Sequence, residues 1–321
     1  MKKKSLGGAL VAVPHIVWSA LFIIAPLLFV LYYTFTSPEG GFTFDNILGL
    51  TEYADIFRTS IEMSIIATFC CFLIGYPLAY FIARSTELQK KIFMILLMLP
   101  MWTNLLIRTY SMMAILDDGG FLNSILLALD LAPVHIVGTK GAVIFGIVYD
   151  FFPYMVLPIY TAIEKIDRRL LEAASDLGCS NAQVMTRVIL PLSKSGIVSG
   201  ITMVFVPSIS TFYISQKLGG GTFELIGDTI ERQFQSYSTY NIGAAISLVM
   251  MILILISLAI MNRFSDGEET GGRLKRSNPR SNHLNERNNA IAHEIFFQNL
   301  YCGGVHASVH PHSGTDAVLL Q

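Results

Sequence analysis

Long apolar segments dominate this chain of 321 residues and limit the folds that it can adopt. A helix that crosses the hydrocarbon core of a bilayer needs about 20 mostly apolar residues. Hydrophobic residues make up 53% of the sequence and charged residues 14%, whereas about 25% charged residues is usual in soluble domains. Six segments meet the length requirement, at residues 11–35, 60–83, 92–116, 141–163, 196–215 and 242–261. The sequence therefore predicts an all-α membrane protein with six transmembrane helices.

Lysine and arginine residues fall in alternate connections between the predicted spans. They precede the first span, join the second to the third and the fourth to the fifth, and follow the sixth: Lys2, Lys3, Lys4, Arg84, Lys90, Lys91, Lys165, Arg168, Arg169, Arg187, Lys194, Arg263, Arg273, Lys275 and Arg276. The other connections contain more acidic than basic residues. Because basic loops stay on the cytoplasmic side of a membrane, both termini and the segment 165–192 are predicted to be cytoplasmic.

The composition of the chain changes after the last predicted span. Residues 265–321 are polar and rich in Asn, Gly and Arg, and such a composition buries too little apolar surface to form a core. We therefore expect residues 1–264 to form the transmembrane domain and residues 265–321 to form a disordered tail.

The predicted cytoplasmic segment between the fourth and fifth spans has the pattern of two short helices separated by a turn. Asp167 is placed to cap the first helix, and Gly178 stands where a helix end favours positive φ. Ser180 and Gln183 have capping-box spacing at the start of the second helix, and Pro191 is expected to end it. The local pattern leaves two interpretations open: an amphipathic connector on the bilayer, or a docking surface for a cytoplasmic partner.

The order of residues in this segment resembles the EAA motif of permeases in ATP-binding cassette (ABC) importers. The matching positions are Glu172, Ala173, Ala174, Gly178, Leu190 and Pro191. The stretches LPMWTNLLIRTY, PYMVLPIYTAIEKID and LLEAASDLG are similar to the spermidine/putrescine permeases, in particular to the first of their two permease subunits. The resemblance covers residues 14–264 of the chain.

This resemblance implies the permease fold of a type I ABC importer, in the inner membrane of a bacterium, with polyamines as the cargo. It implies that the motif residues contact a separate ATPase homodimer and couple its closure to alternating access. A second permease subunit and an extracellular or periplasmic substrate-binding protein are the other implied partners. The chain itself is expected to bind no cofactor, since ATP and Mg²⁺ belong to the ATPase. It contains no GxxxxGK[ST] nucleotide-binding loop.

Ionisable and aromatic residues inside the spans are candidates for contact with a cationic substrate, because charges are costly in a bilayer. A polyamine needs carboxylates for its ammonium groups and aromatic faces for cation–π contact. Asp150 and Tyr154 in the fourth span, with Trp102 and Tyr213 as aromatic walls, are the predicted pathway residues. The alternative is that Asp150 forms a buried ion pair with Arg108.

Arg108 carries a positive charge that repels a polyamine, so Arg108 and the neighbouring Asn104 are expected to have structural or gating roles. Pro and Gly residues within several spans favour a packed bundle that lines a pathway, although ordinary helix kinks explain them equally well.

Two other functions fit parts of the pattern. An ABC permease for iron, thiamine, sulfate or another small solute keeps the mechanism and changes the cargo. An ion-driven secondary transporter predicts inverted repeats, which the two halves of this sequence do not show. The net charge of −1 offers no basic surface for nucleic acid, and the sequence predicts no metal site.

Overall fold

A computed structural model of the protein describes residues 6–37 and 39–265, which are mostly helical. The α-helices are α1 (Leu6–Ser19), α2 (Ala25–Thr34), α3 (Asp45–Leu48), α4 (Ala54–Arg84), α5 (Glu87–Met98), α6 (Leu105–Leu116), α7 (Phe121–Ala128), α8 (Lys140–Glu164), α9 (Arg168–Asp176), α10 (Asn181–Val184), α11 (Leu190–Leu192), α12 (Lys194–Ser210), α13 (Tyr213–Leu218), α14 (Ile226–Gln235) and α15 (Tyr240–Ser265). Within the described residues no β-strand forms, and one isolated bridge joins Thr36 to Phe42. The predicted tail beyond Ser265 lies outside the described residues.

Four helical segments are long and apolar enough to cross a membrane on their own: Val13–Thr34, Asp45–Arg84, Lys140–Glu164 and Tyr237–Arg263. Two pairs of helices pass the same test when each pair counts as one span: Glu87–Trp102 with Leu105–Ala128, and Asn181–Leu192 with Lys194–Ser210. The described part of the chain is therefore a helical membrane protein with four to six candidate spans.

The helices α4, α8 and α12 pack together at the centre of the larger of two structural units. Two glycines let α12 approach the backbone of α8. A Cβ atom added at Gly196 would lie 2.6 Å from the carbonyl oxygen of Pro158, and one added at Gly200 would lie 2.9 Å from that of Met155. Small residues allow this close approach between helices that have no hydrophobic driving force in lipid.

Prolines lie inside three of the long helices without interrupting them: Pro77 in α4, Pro153 and Pro158 in α8, and Pro207 in α12. The breaks occur elsewhere. The predicted span 92–116 bends by 94° between Trp102 and Leu105. In the predicted span 196–215, helix α12 ends at Ser210 and a new helix, α13, begins at Tyr213. The expectation of one continuous helix in each of these two segments is therefore wrong.

Candidate functional site

The two interrupted spans meet where α6 packs against α13. Broken helices at membrane depth are tolerated where neighbouring helices or a water-filled path satisfy the freed backbone groups. In transporters, such discontinuous helices form substrate sites. The contact between α6 and α13 is therefore a candidate position for groups that bind a solute.

The apolar face of α13 fixes its orientation. Ile214 and Leu218, four residues apart, are fully buried in a cluster that includes Met112 of α6 and Ile147 of α8. Tyr213 and Lys217 have the same spacing one position earlier, so they share a different face of the helix. Packing of α13 thus directs Tyr213 and Lys217 away from the core, and both remain partly exposed.

Tyr110 of α6 completes a group of two aromatic rings and one ammonium, which we call the tyrosine–lysine cluster (Tyr110, Tyr213 and Lys217). The ring centroids of Tyr110 and Tyr213 lie 6.1 Å apart, with the planes at 78°. Lys217 Nζ lies 5.1 Å from the Tyr110 centroid and 5.9 Å from the Tyr213 centroid. Both separations fall within the range of about 6 Å for cation–π attraction. Sequence reasoning predicted Tyr213 here and missed Lys217, which its four-residue spacing from Tyr213 would have indicated.

Helix α14 buries the carboxyl group of Asp228 beside α13. Ser215 Oγ lies 2.9 Å from Asp228 Oδ1 and 2.8 Å from the carbonyl oxygen of Phe212, while the N–H of Leu225 donates to Asp228 Oδ2 at 2.8 Å. The hydroxyl of Ser215 has one proton and cannot donate to both acceptors. Ionised Asp228 accepts from Ser215, and neutral Asp228 can instead donate to Ser215, which frees the hydroxyl proton for Phe212.

Burial shifts the pKa of Asp228 and so changes the balance between these two forms. Asp228 lies outside the candidate membrane spans. Burial of the carboxyl raises its pKa to about 6, while the hydrogen bonds from Leu225 and Ser215 lower it to a smaller extent. The neutral form is therefore favoured by the fold much more than it is in water. Asp228 was not singled out from the sequence, because its burial depends on helix packing.

Arg108 and Asp150 form an ion pair inside the bundle. Arg108 Nε lies 2.5 Å from Asp150 Oδ1, and the side chains are 12% and 1% exposed. Arg108 Nη1 also donates to the carbonyl oxygen of Pro100 at 2.7 Å. A pocket of about 410 Å³ is lined by Arg108 and Tyr149 but not by Asp150. The structure thus contains the Arg108–Asp150 ion pair, which the sequence analysis gave as the alternative to a substrate contact. A contact of Asp150 with the substrate stays a prediction.

The other predicted residues of this region lie apart from the tyrosine–lysine cluster. Asn104 caps α6, because its Oδ1 accepts the N–H of Leu106 at 2.8 Å. Trp102 is 78% exposed, and Tyr154 is 38% exposed and packs on Phe151. Among the described residues, no group of three His, Cys, Asp or Glu side chains is arranged to hold a metal ion.

The segment that resembles the EAA motif forms its own structural unit. Asp167 Oδ1 accepts the N–H of Arg169 at the start of α9, as predicted. Gly178 has φ +84°, and its N–H donates to the carbonyl of Ser175. The N–H of the next residue donates to the carbonyl of Ala174, which completes a Schellman turn. The turn between the two short helices is therefore rigid rather than a loose loop.

The second short helix begins as predicted and ends later than predicted. Ser180 and Gln183 form the expected capping box. The chain stays helical through Pro191, since a π-helical turn, Met185–Ile189, precedes α11. Proline has no N–H to donate to the carbonyl of the preceding turn. The wider π-helical turn before Pro191 accommodates this missing hydrogen bond, so the helix does not end there. The prediction that Pro191 ends the helix is therefore wrong by one residue, at Leu192.

Most of the motif positions are exposed. They are Glu172, Ala173, Gly178, Leu190 and Pro191, whereas Ala174 is 1% exposed. Leu170 and Leu177 are also about half exposed, so of the apolar positions Leu170, Ala173, Ala174 and Leu177, which share helical spacing, only Ala174 is buried. The segment presents large apolar side chains beside a carboxylate, which is typical of a docking surface.

Comparison with known proteins assigns the chain to a class. Residues 75–267 match the family described as "binding-protein-dependent transport system inner membrane component". The chain belongs to this family of ABC importer permeases. It is a transport subunit and a multi-pass protein of a bacterial inner membrane.

Individual members of the family and a solved structure show which known proteins this chain is similar to. The chain is 38% identical over 275 residues to the spermidine/putrescine transport system permease protein PotB of Salmonella typhimurium, with 83% of this chain and 96% of that protein covered. The identity to PotB of Escherichia coli is also 38%, over 258 residues that cover 77% of this chain and 94% of that protein. A chain of a bacterial alginate ABC transporter, solved with an alginate-bound periplasmic protein, shares the fold at TM-score 0.65 and 18% identity, covering 80% of this chain and 93% of that one.

Proposed function

We infer that this chain is a transmembrane permease subunit of an ATP-driven importer for polyamines such as spermidine and putrescine. The observation that carries this proposal is the 38% identity, along most of both chains, to permeases named for these two solutes. The cluster of Tyr110, Tyr213 and Lys217 adds support, because aromatic faces at a break between spans suit an ammonium ligand.

The proposed topology has six spans with both termini in the cytoplasm. The distribution of lysine and arginine supports this orientation. Six spans require that Glu87–Trp102 with Leu105–Ala128 crosses as one broken span and that Lys194–Ser210 makes the fifth crossing, since Asn181–Leu192 belongs to the proposed cytoplasmic segment.

The motif residues Glu172, Ala173, Ala174, Gly178, Leu190 and Pro191 form the proposed contact with an ATPase homodimer on a separate chain. Exposed Leu170 and Leu177 support this role, since they offer apolar surface beside Glu172. The Schellman turn at Gly178 keeps the segment stiff enough to transmit movement. ATP and Mg²⁺ bind the ATPase, this chain binds no cofactor, and closure of the ATPase is transmitted as a rigid-body change.

Two further partners complete the proposed transporter: a second permease subunit and a substrate-binding protein outside the membrane. In the proposed pathway Tyr213, Tyr154 and Trp102 supply aromatic contacts to the cargo. Asp150 remains a predicted pathway residue, but its 1% side-chain exposure and its pairing with Arg108 favour a structural role in this conformation.

The cargo is tested on the proposed substrate-binding protein of this transporter. Isothermal titration calorimetry with spermidine, putrescine, ferric iron, thiamine and sulfate compares the proposed cargo with the alternatives. We expect saturable binding of spermidine or putrescine alone. Binding of sulfate, thiamine or iron without a polyamine signal would remove the polyamine assignment.

A further inference from the structure

The side chain of Lys217 has the chemistry of the end of a polyamine. It is a flexible stem of four methylene groups that ends in a primary ammonium. Its Nζ lies over the rings of Tyr110 and Tyr213, at 5.1 and 5.9 Å from their centroids. A free alkylammonium ion would take the same position between these two rings.

Lys217 is held there without a carboxylate. In the part of the chain that the structure describes, no ion pair includes Lys217. The carboxylate of Glu231 on the neighbouring helix α14 accepts from Gln216 at 2.7 Å and from Gln235 at 2.6 Å. Removal of the Lys217 ammonium from the rings therefore breaks no salt bridge.

The position is also accessible to an incoming ligand. Tyr110 is 46% exposed, and Tyr213 and Lys217 are partly exposed. The cluster lies where the two broken spans meet, and α13 is attached by other faces, through Ile214 and Leu218 to the core and through Ser215 to α14. An ammonium group can thus replace Lys217 while the helix stays in place.

We propose that Tyr110 and Tyr213 form a binding site for one ammonium group of the cargo, and that Lys217 occupies this site in the unloaded state as a tethered competitor. This inference rests on the proposed function and adds a specificity-determining residue to it. The arriving ammonium displaces Lys217, whose side chain swings into solvent. Lys217 thereby reduces occupancy of the site by weakly bound monovalent amines.

Uptake by the complete transporter tests this competition. The complex with its ATPase, second permease and binding protein is reconstituted in liposomes, and uptake of labelled spermidine is measured at subsaturating concentration. Lys217→Gln empties the site, so kcat/KM should rise about two- to fivefold, the range of one exposed cation–π contact. Lys217→Arg keeps a cation over the rings and should shift kcat/KM by much less. The exposed Lys140→Gln is the matched control and should leave uptake unchanged.

The rings are tested by a double-mutant cycle. In a Tyr110→Leu background the gain from Lys217→Gln should disappear, because the vacated site no longer binds ammonium. A gain that persists in this background would assign the effect to general charge repulsion and overturn the proposal. An unchanged or lower kcat/KM for Lys217→Gln would also overturn it.

A second measurement needs no variant. Acetylation of Lys217 by a water-soluble acylating reagent is followed by mass spectrometry in the wild-type transporter, with and without spermidine. Displacement should increase labelling of Lys217 about two- to fivefold, whereas equal labelling contradicts the proposal. If the wild-type transporter takes up no spermidine at all, the proposed function fails. If it does and Lys217 is insensitive, only the present inference fails.

Discussion

Arg108 and Asp150 join α6 to α8 through an ion pair, with Arg108 Nε 2.5 Å from Asp150 Oδ1. The pair lies beside the bend of 94° between the helical segments Glu87–Trp102 and Leu105–Ala128. Arg108 also holds the turn before the bend through its hydrogen bond to the carbonyl of Pro100. One guanidinium therefore fixes both the break in the span and its position against α8.

Removal of Asp150 separates its two possible roles. Asp150→Ala leaves the Arg108 charge buried without a counter-ion, which should cost about 3–5 kcal/mol and lower the Tm of the purified complex by many degrees. The double variant Arg108→Met with Asp150→Leu should recover most of that loss, because well-packed apolar residues replace a buried ion pair. If Asp150→Ala keeps the wild-type Tm and loses uptake, Asp150 contacts the cargo instead.

The carboxyl group of Asp228 predicts a pH-dependent stability. Its pKa is raised to about 6 by burial, so the fold favours the neutral form. Its contribution is complete below about pH 4 and is lost as the pH rises through about 6. Asp228→Asn mimics the neutral form and should gain about 1–2 kcal/mol at pH 8, with no gain at pH 4. Thermal unfolding of the complex across this range measures the difference. The exposed Asp117→Asn serves as the control, and a variant that is less stable than wild type at pH 8 contradicts the account.

Close packing of α12 on α8 makes Gly196 intolerant of larger residues. An added Cβ would lie 2.5 Å from the Cβ of Ala162 and 2.6 Å from the carbonyl oxygen of Pro158. Gly196→Ala should therefore cost about 1–3 kcal/mol by overpacking, seen as a lower Tm. At Gly141 the nearest atom is 3.6 Å away, so Gly141→Ala should be neutral or stabilising. Equal effects of the two substitutions would refute this packing.

Charge reversal at Glu172 tests the coupling segment. Glu172→Lys should detach or uncouple the ATPase, because it places a positive charge where the contact surface presents a carboxylate, while the spans stay folded. We expect an unchanged Tm for the isolated permease pair and loss of the co-purified ATPase or of its stimulation by loaded binding protein. The exposed Lys91→Glu is the matched reversal outside the motif. Wild-type coupling in the Glu172 variant would exclude this residue from the contact.

The sequence predicted the long helices well, because a run of about 20 apolar residues has few other solutions. The predicted spans 60–83, 141–163 and 242–261 lie within α4, α8 and α15. It also predicted local capping, at Asp167 and Ser180, since these hydrogen bonds involve neighbours within a few residues.

The breaks in the spans could not be predicted from hydropathy, because the residues at Trp102 and Thr211 continue the apolar or neutral pattern. Prolines do not mark the breaks, since Pro77 and Pro207 lie in uninterrupted helices whose neighbours compensate for the lost hydrogen bond. Asn104 was the usable local signal, as an N-cap residue that opens α6.

The tyrosine–lysine cluster depends on tertiary contact between residues far apart in the chain. Tyr213 was predicted from its aromatic character alone, and its contact with Tyr110 needed the packing of α6 on α13. The buried state of Asp150 and Asp228 likewise follows from helix packing, which no local pattern encodes.

The energy source of spermidine uptake tests the central claim most directly. Membrane vesicles that contain the complete transporter and its binding protein are supplied with ATP, with a non-hydrolysable analogue, or with ATP and an uncoupler. Uptake of labelled spermidine should require hydrolysable ATP and persist in the presence of the uncoupler. Uptake that continues without ATP and collapses with the uncoupler would contradict an ATP-driven polyamine permease.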